Sequence, residues 1–135
     1  MTTSGLTRAR DLLDRPAPDK IDLAPLLGGW VNFDVVSPGL HRVELTDRDG
    51  ALWVRALGAT SPEPYDWGEV PGRAYADDVA ACAAVAFLAR YDLGFERVML
   101  VGYLNRWMLS VDASTSFTDG SGRSDYFTRA HFYLS

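Results

Sequence analysis

The chain has 135 residues, 47% hydrophobic and 23% charged, with a net charge of −5 at neutral pH. That length carries one domain with its own core and no need of covalent staples. An acidic balance without a basic patch argues against nucleic acid or an anionic membrane as partner.

Taken in order, residues 6 to 15 place Leu6, Ala9, Leu12 and Leu13 on one helical face, with Ser4 as N-cap and Pro16 and Pro18 as the stop. Ile21 to Leu27 reads as a helical turn delivering the chain to Gly28-Gly29-Trp30. Extended runs follow. Trp30 to Val36 is the first, Leu40 to Thr46 the second, and Asp49-Gly50 closes a hairpin onto the third, Ala51 to Ala59. Thr60 to Asp78, broken by Pro62, Pro64, Pro71, Gly68 and Gly72, reads as an irregular stretch and a candidate lid, with a short edge strand at Tyr65 to Val70. Val79 to Tyr91 is alanine-rich, but its place in the series favours a strand over Ala84 to Tyr91. Phe95 to Tyr103, Trp107 to Phe117 and Tyr126 to Leu134 complete the set. Within Trp107 to Phe117 the residues alternate, with Trp107, Leu109, Val111, Ala113 and Phe117 on one side. The expected fold is mainly β: a small antiparallel up-and-down barrel of about eight strands over residues 28–135, preceded by a helical lead over residues 1–27. About eight strands leave an interior that side chains fill or that holds one small ligand.

Three motifs stand out: Trp30-x-Asn32-x-Asp34 after the double glycine, Asp66-Trp67-Gly68 after a proline-rich bend, and Phe117-Thr118-Asp119-Gly120-Ser121-Gly122-Arg123 near the end. Together they resemble a group of small bacterial proteins similar to compact lipocalins, over roughly residues 28 to 134. The resemblance implies a ligand-holding barrel whose floor Trp30 closes, with Arg129 lying across the indole. It implies no catalytic residue. The chain departs from secreted lipocalins in its shortness, its lack of a disulfide and its lack of a secretion signal.

Several chemistries drop out. No Gly-rich phosphate loop joins a strand to a helix. His41, His131 and Cys82 have no metal-ligand spacing. Gly120-Ser121-Gly122 is a turn and not a nucleophile elbow. Cys82 reads as an inert packing residue. The first residues are not a signal peptide and no run approaches the roughly 20 apolar residues of a membrane span, so the expected location is the cytoplasm.

Chemistry in such a container would be cofactor-free. With Trp30 pointing inward, the period of two places Asn32 and Asp34 on the inner face. There, each is held either by a structural network, a neighbouring strand or the Arg42 or Arg55 guanidinium, or by a ligand. A desolvated Asp34 would serve as general base. Asp66 and Tyr103 are the other catalytic candidates, and His41 is a candidate partner of Asp34. Trp53, Tyr65, Trp67, Tyr91 and Trp107 supply aromatic walls suited to a flat or polyunsaturated ligand, and Arg55 or Arg106 could hold a carboxylate or enolate. Two functions follow: a cofactor-independent cyclase or isomerase of a hydrophobic, polyketide-like metabolite acting by conformer selection, or a non-catalytic carrier of a similar ligand. The outward apolar stripe Val31, Phe33 and Val35 adds a homodimer as a third expectation.

Overall fold

The structure, a computed structural model, describes residues 21–58 and 65–135. Eight antiparallel strands follow one another in sequence order and close on themselves. They are β1 (Gly28–Asn32), β2 (Leu40–Arg48), β3 (Ala51–Gly58), β4 (Tyr65–Ala76), β5 (Ala84–Asp92), β6 (Glu96–Asn105), β7 (Met108–Phe117) and β8 (Tyr126–Leu134). The expected up-and-down barrel is therefore the architecture of the chain. The helix read over residues 6 to 15 lies outside the described residues, as does the part of the candidate lid at 60–64. No described helix is long and apolar enough to cross a membrane.

The short ladder loops follow from the turn residues. Asp47 accepts a hydrogen bond from Gly50 N at 2.7 Å, which closes the β2–β3 hairpin. The β5 assignment holds as read: Phe87, Ala89 and Tyr91 are buried on the inner face, and their alternation outweighs the helix propensity of the alanines. In β7, Leu109, Val111 and Ala113 point inward as expected, whereas Trp107 sits in the β6–β7 turn and is 65% exposed.

Two boundaries differ from the expectation. β4 runs for twelve residues through the stretch read as irregular. Its inner positions are small or short, Val70, Gly72, Ala74 and Ala76, so no bulky apolar alternation announces it. Smallness is required there, because a Cβ on Gly72 would lie 2.8 Å from Val54 and 3.0 Å from Leu52 of β3. β1, in turn, stops at Asn32 instead of continuing to Val36. Asn32 Oδ1 accepts from Asp34 N at 2.8 Å, and Asp34 Oδ1 accepts from Val36 N at 3.2 Å, two successive side-chain turns that lift the chain out of the sheet.

The core lies on the inner faces of the strands. Phe87, Phe132, Leu45, Leu100, Leu109 and Val54 are fully buried there. The floor is a plug made by residues 21 to 27, including a single 3-10 turn at Ala24–Leu26 where the sequence predicts a helical turn. Asp22 N bonds Cys82 O at 2.7 Å and Ala84 N bonds Asp22 O at 2.9 Å, stitching the plug to the start of β5. Leu26 is fully buried, and the Trp30 indole N–H donates to its carbonyl at 2.9 Å. Trp30 thus closes the floor as expected, but Arg129 does not lie across it. Residue 129 falls on the outer face of β8, where its guanidinium makes a two-point pair with Asp112 of β7 at 2.7 and 3.1 Å. Cys82 is also a correction: it is exposed and does no packing.

Candidate functional site

The opposite end of the barrel collects the β1–β2, β5–β6 and β7–β8 connections and forms its mouth. A cavity of about 230 Å³ opens here, lined by Gly58, Tyr65, Trp67, Glu96, Ala113, Thr115, Tyr126 and Thr128, with the Trp67 indole lying against Gly58. It shares Pro38, Gly39, Leu40, Ala113, Tyr126 and Thr128 with a second hollow of about 370 Å³ that reaches toward Arg129 and Ala130. The second hollow exists because β1 is short. β1 pairs with β8 only at Phe132 to Leu134, with one further bond toward the mouth from Phe33 N to His131 O at 3.0 Å, so the upper part of β8, paired with β7 on one side, has no described strand on its other side. The mouth is in effect a cup with a lateral slot between β2 and β8. A hollow of about 450 Å³ over Pro71, Arg73, Tyr75, Leu88 and Arg90 is larger, but it is an open depression on the outer wall of β4 and β5.

The base of the cup is a braced aromatic pair. A register shift in the β3–β4 ladder sets Arg55 against Glu69 and Leu57 against Asp66, so Trp67 and Gly68 together face Ala56. Tyr91 fills the resulting break. Its hydroxyl accepts from Ala56 N at 3.0 Å and lies 3.0 Å from Val54 O and 2.9 Å from Gly68 O, its single proton serving one of these carbonyls at a time. Burial pushes the Tyr91 phenol up to about 12. The Trp67 ring stands edge-on to Tyr91 with centroids 5.6 Å apart, within the range of favourable aromatic contact. Trp67 is therefore fixed from below and offers its upper surface to the cavity.

The placement of the other candidates is mostly outside the cup. Asn32 is inward and buried, yet its amide donates to Leu40 O at 2.8 Å and its oxygen serves Asp34 N, so the neighbouring-strand network accounts for it. Asp34 is not on the inner face: it lies beyond the end of β1, exposed, with its carboxylate capping the turn. His41 sits at the β2 irregularity between Leu40 and Arg42, and no hydrogen bond or ion pair joins it to Asp34. Trp53 and Arg55 face outward from β3, since Leu52, Val54 and Ala56 take the inner positions. The Arg48 guanidinium covers Trp53 at 4.7 Å. Arg55 pairs with Asp66 and, at 3.6 Å, with Glu44. The Arg55 hydrogen bond holds the Asp66 carboxyl below its usual range, with help from Gly68 N. Asp66 is thus an outer-wall ion-pair member, and Arg55 is not free to hold an anion. Tyr103 is half-buried opposite Ser110 on the outer side of β6, since Leu100 and Gly102 point inward. Trp107 packs on Phe33, and Phe33 on Tyr133, at centroid distances of 5.7 and 4.9 Å on the outer wall.

Tyr65 and Trp67 are accordingly the sequence candidates that line the cavity, with Tyr91 one layer beneath. Glu96, Thr115, Tyr126 and Thr128 are lining residues the site reading missed. The alternation of β6 carried the signal for Glu96: Val98, Leu100 and Gly102 point inward, and residue 96 shares their parity. The loop motif at 117–123 proves structural, with Asp119 accepting from Ser121 N at 3.0 Å and Arg123 stacked over Phe117 at 4.1 Å. Comparison with known proteins finds no family model, no curated protein and no solved structure that matches this chain.

Proposed function

We propose that the protein binds one small, largely apolar ligand in the mouth cup, seated on Trp67. The observation that carries this reading is the braced Trp67–Tyr91 base beneath an open hollow at the mouth, above a buried apolar core. A rigid aromatic floor with a few polar groups on the walls is what a small-molecule site requires. The lipocalin-like reading fits the same arrangement, with Trp30 at the closed end and the ligand at the open one.

A catalytic reading, cofactor-independent cyclisation or isomerisation of a polyketide-like ligand, has one feature in its favour: Glu96 lines the same cavity as Tyr65 and Tyr126. It would act by holding a reactive conformer while Glu96 or a phenol exchanges a proton with the substrate. Asp34, Asp66 and Tyr103 line neither mouth hollow, so the proton-transfer role moves to Glu96.

Thr128 lines both hollows from an exposed position on β8, so enlarging it blocks the site without touching the core. Thr128→Phe is expected to weaken binding of 2-naphthalenemethanol at least tenfold in calorimetric titration, with the melting temperature unchanged within a few degrees. Undiminished binding by the folded variant would place the ligand elsewhere.

A further inference from the structure

Glu96 differs from the acidic side chains around it. Glu44, Glu69, Asp66, Asp92, Asp112 and Asp119 each face an arginine. Asp22, Asp34, Asp47 and Asp78 cap backbone N–H groups in turns, and Asp49, Asp77 and Asp125, which have no such partner among the described residues, are exposed to solvent. Glu96 faces the cavity, half-buried, and no side chain or backbone donor among the described residues bonds it. The arginines nearest the mouth are already paired: Arg129 is held by both oxygens of Asp112, and Arg123, stacked over Phe95 and Phe117 beside Glu96, is held by Asp119. The other polar atoms lining the inner hollow belong to Thr115, Thr128, Tyr65 and Tyr126, together with the backbone and the Trp67 indole.

From this arrangement we infer that the cup selects ligands carrying a hydrogen-bond donor, an amine or a hydroxyl, at the end that meets Glu96, and rejects carboxylates and other anions. The inference rests on the mouth cup being the binding site. A carboxylate accepts and cannot donate, so a ligand donor completes it, whereas an anion in the same place meets like charge while the neighbouring Arg123 and Arg129 are held by Asp119 and Asp112. The chain's overall charge of −5 acts in the same direction at longer range. The expected ligand is thus an apolar, ring-sized body with one amine or hydroxyl, and not a fatty acid or other organic acid.

The test is a matched series sharing one ring system: 2-naphthylmethylamine, 2-naphthalenemethanol and 2-naphthoate, titrated calorimetrically at neutral pH into the wild type and Glu96→Gln. In the wild type the ammonium should bind at least tenfold more tightly than the carboxylate, with the alcohol between them. A hydrogen bond to a charged partner is strong enough for Glu96→Gln to weaken the ammonium about tenfold. The same substitution should strengthen the carboxylate and leave the alcohol nearly unchanged. A partly exposed position makes the variant tolerable to the fold, which an unchanged melting temperature would verify. Equal binding of all three probes, or a preference that survives in Glu96→Gln, would overturn the assignment to Glu96 while the cup remains a site. Failure of all three to bind would overturn both.

Discussion

Phe87→Ala is expected to cost the barrel about 3–5 kcal/mol, the range for an aromatic deleted from a well-packed interior. Phe87 is fully buried and stands directly opposite Gly102 in the β5–β6 ladder. The pair is a large-into-small fit. A Cβ added to Gly102 would come within 2.1 Å of Phe87 Cε1, with two further ring carbons at 2.6 and 2.8 Å. Gly102→Ala should therefore destabilise by about 3 kcal/mol, the upper end of ordinary overpacking. Because the two residues share one volume, their effects should not add. Phe87→Leu combined with Gly102→Ala is expected to be more stable than the sum of the single changes by at least about 1 kcal/mol. Urea unfolding of the four proteins measures this. Strict additivity would mean that the strand spacing adjusts and the fit is not a constraint.

Tyr91→Phe carries the second large effect. Removing the hydroxyl leaves Ala56 N–H without its partner at the β3–β4 break and takes a donor from Val54 O and Gly68 O. Unpaired buried backbone groups cost roughly 1–3 kcal/mol each, so a loss of about 2–3 kcal/mol is expected. The same group sets an alkaline limit. Its phenol rises from 10.0 to about 12 on folding, chiefly through burial. Between those values the folded chain holds the proton and the unfolded chain releases it, so the native state binds more protons. Stability is then complete below pH 10 and falls through pH 12, by an amount on the order of 2–3 kcal/mol. In Tyr91→Phe that component of the alkaline slope should vanish. Denaturant midpoints taken from pH 8 to pH 12 check both statements, and an unchanged slope in the variant would assign the alkaline loss to another group. Trp67 stands on this ring, so ligand affinity should fall together with the brace.

What could be read in advance follows from how each signal arises. Strand order, the closing indole and the inner face of β7 come from alternation and turn residues, which are local properties. β4 escaped because its inner positions are Gly and Ala, chosen to accommodate Val54 and Leu52 across the ladder, and that demand is invisible along the chain. Extending the period of two past Asn32 places Asp34 inward. The asparagine itself ends the strand by drawing Asp34 N to its side chain, so parity has no meaning beyond it. Trp53 shows a signal that was present but outvoted. It shares parity with Arg55, and the charged member of the pair fixes the outer face for both. Glu96 escaped for the converse reason, since a charged residue at the start of an apolar strand reads as a solvated end. Trp67 is legible as a candidate from the sequence, but its bracing depends on Tyr91 reaching across to β3 and β4, contacts 35 and 23 residues away in sequence.

The outer wall has a distinct logic. Across β2 to β4, Arg42, Glu44, Arg55, Asp66, Arg48 and Glu69 form a run of ion pairs in partly exposed positions. Such pairs contribute little singly, and their placement keeps charge off the inner face. Phe33, Trp107 and Tyr133 leave an aromatic cluster on the wall near the shortened β1, with exposures of 45%, 65% and 36%. It is the feature of the surface that competes with the cup for an apolar ligand.

The most direct measurement is therefore backbone and indole NMR chemical-shift mapping during titration with 2-naphthalenemethanol. The cup predicts the largest changes at the Trp67 indole, Glu96, Thr115, Tyr126 and Thr128, with Phe33, Trp107 and Tyr133 unmoved. Shifts confined to the outer aromatic cluster, or none at saturating probe, would contradict the placement of the site in the mouth of the barrel.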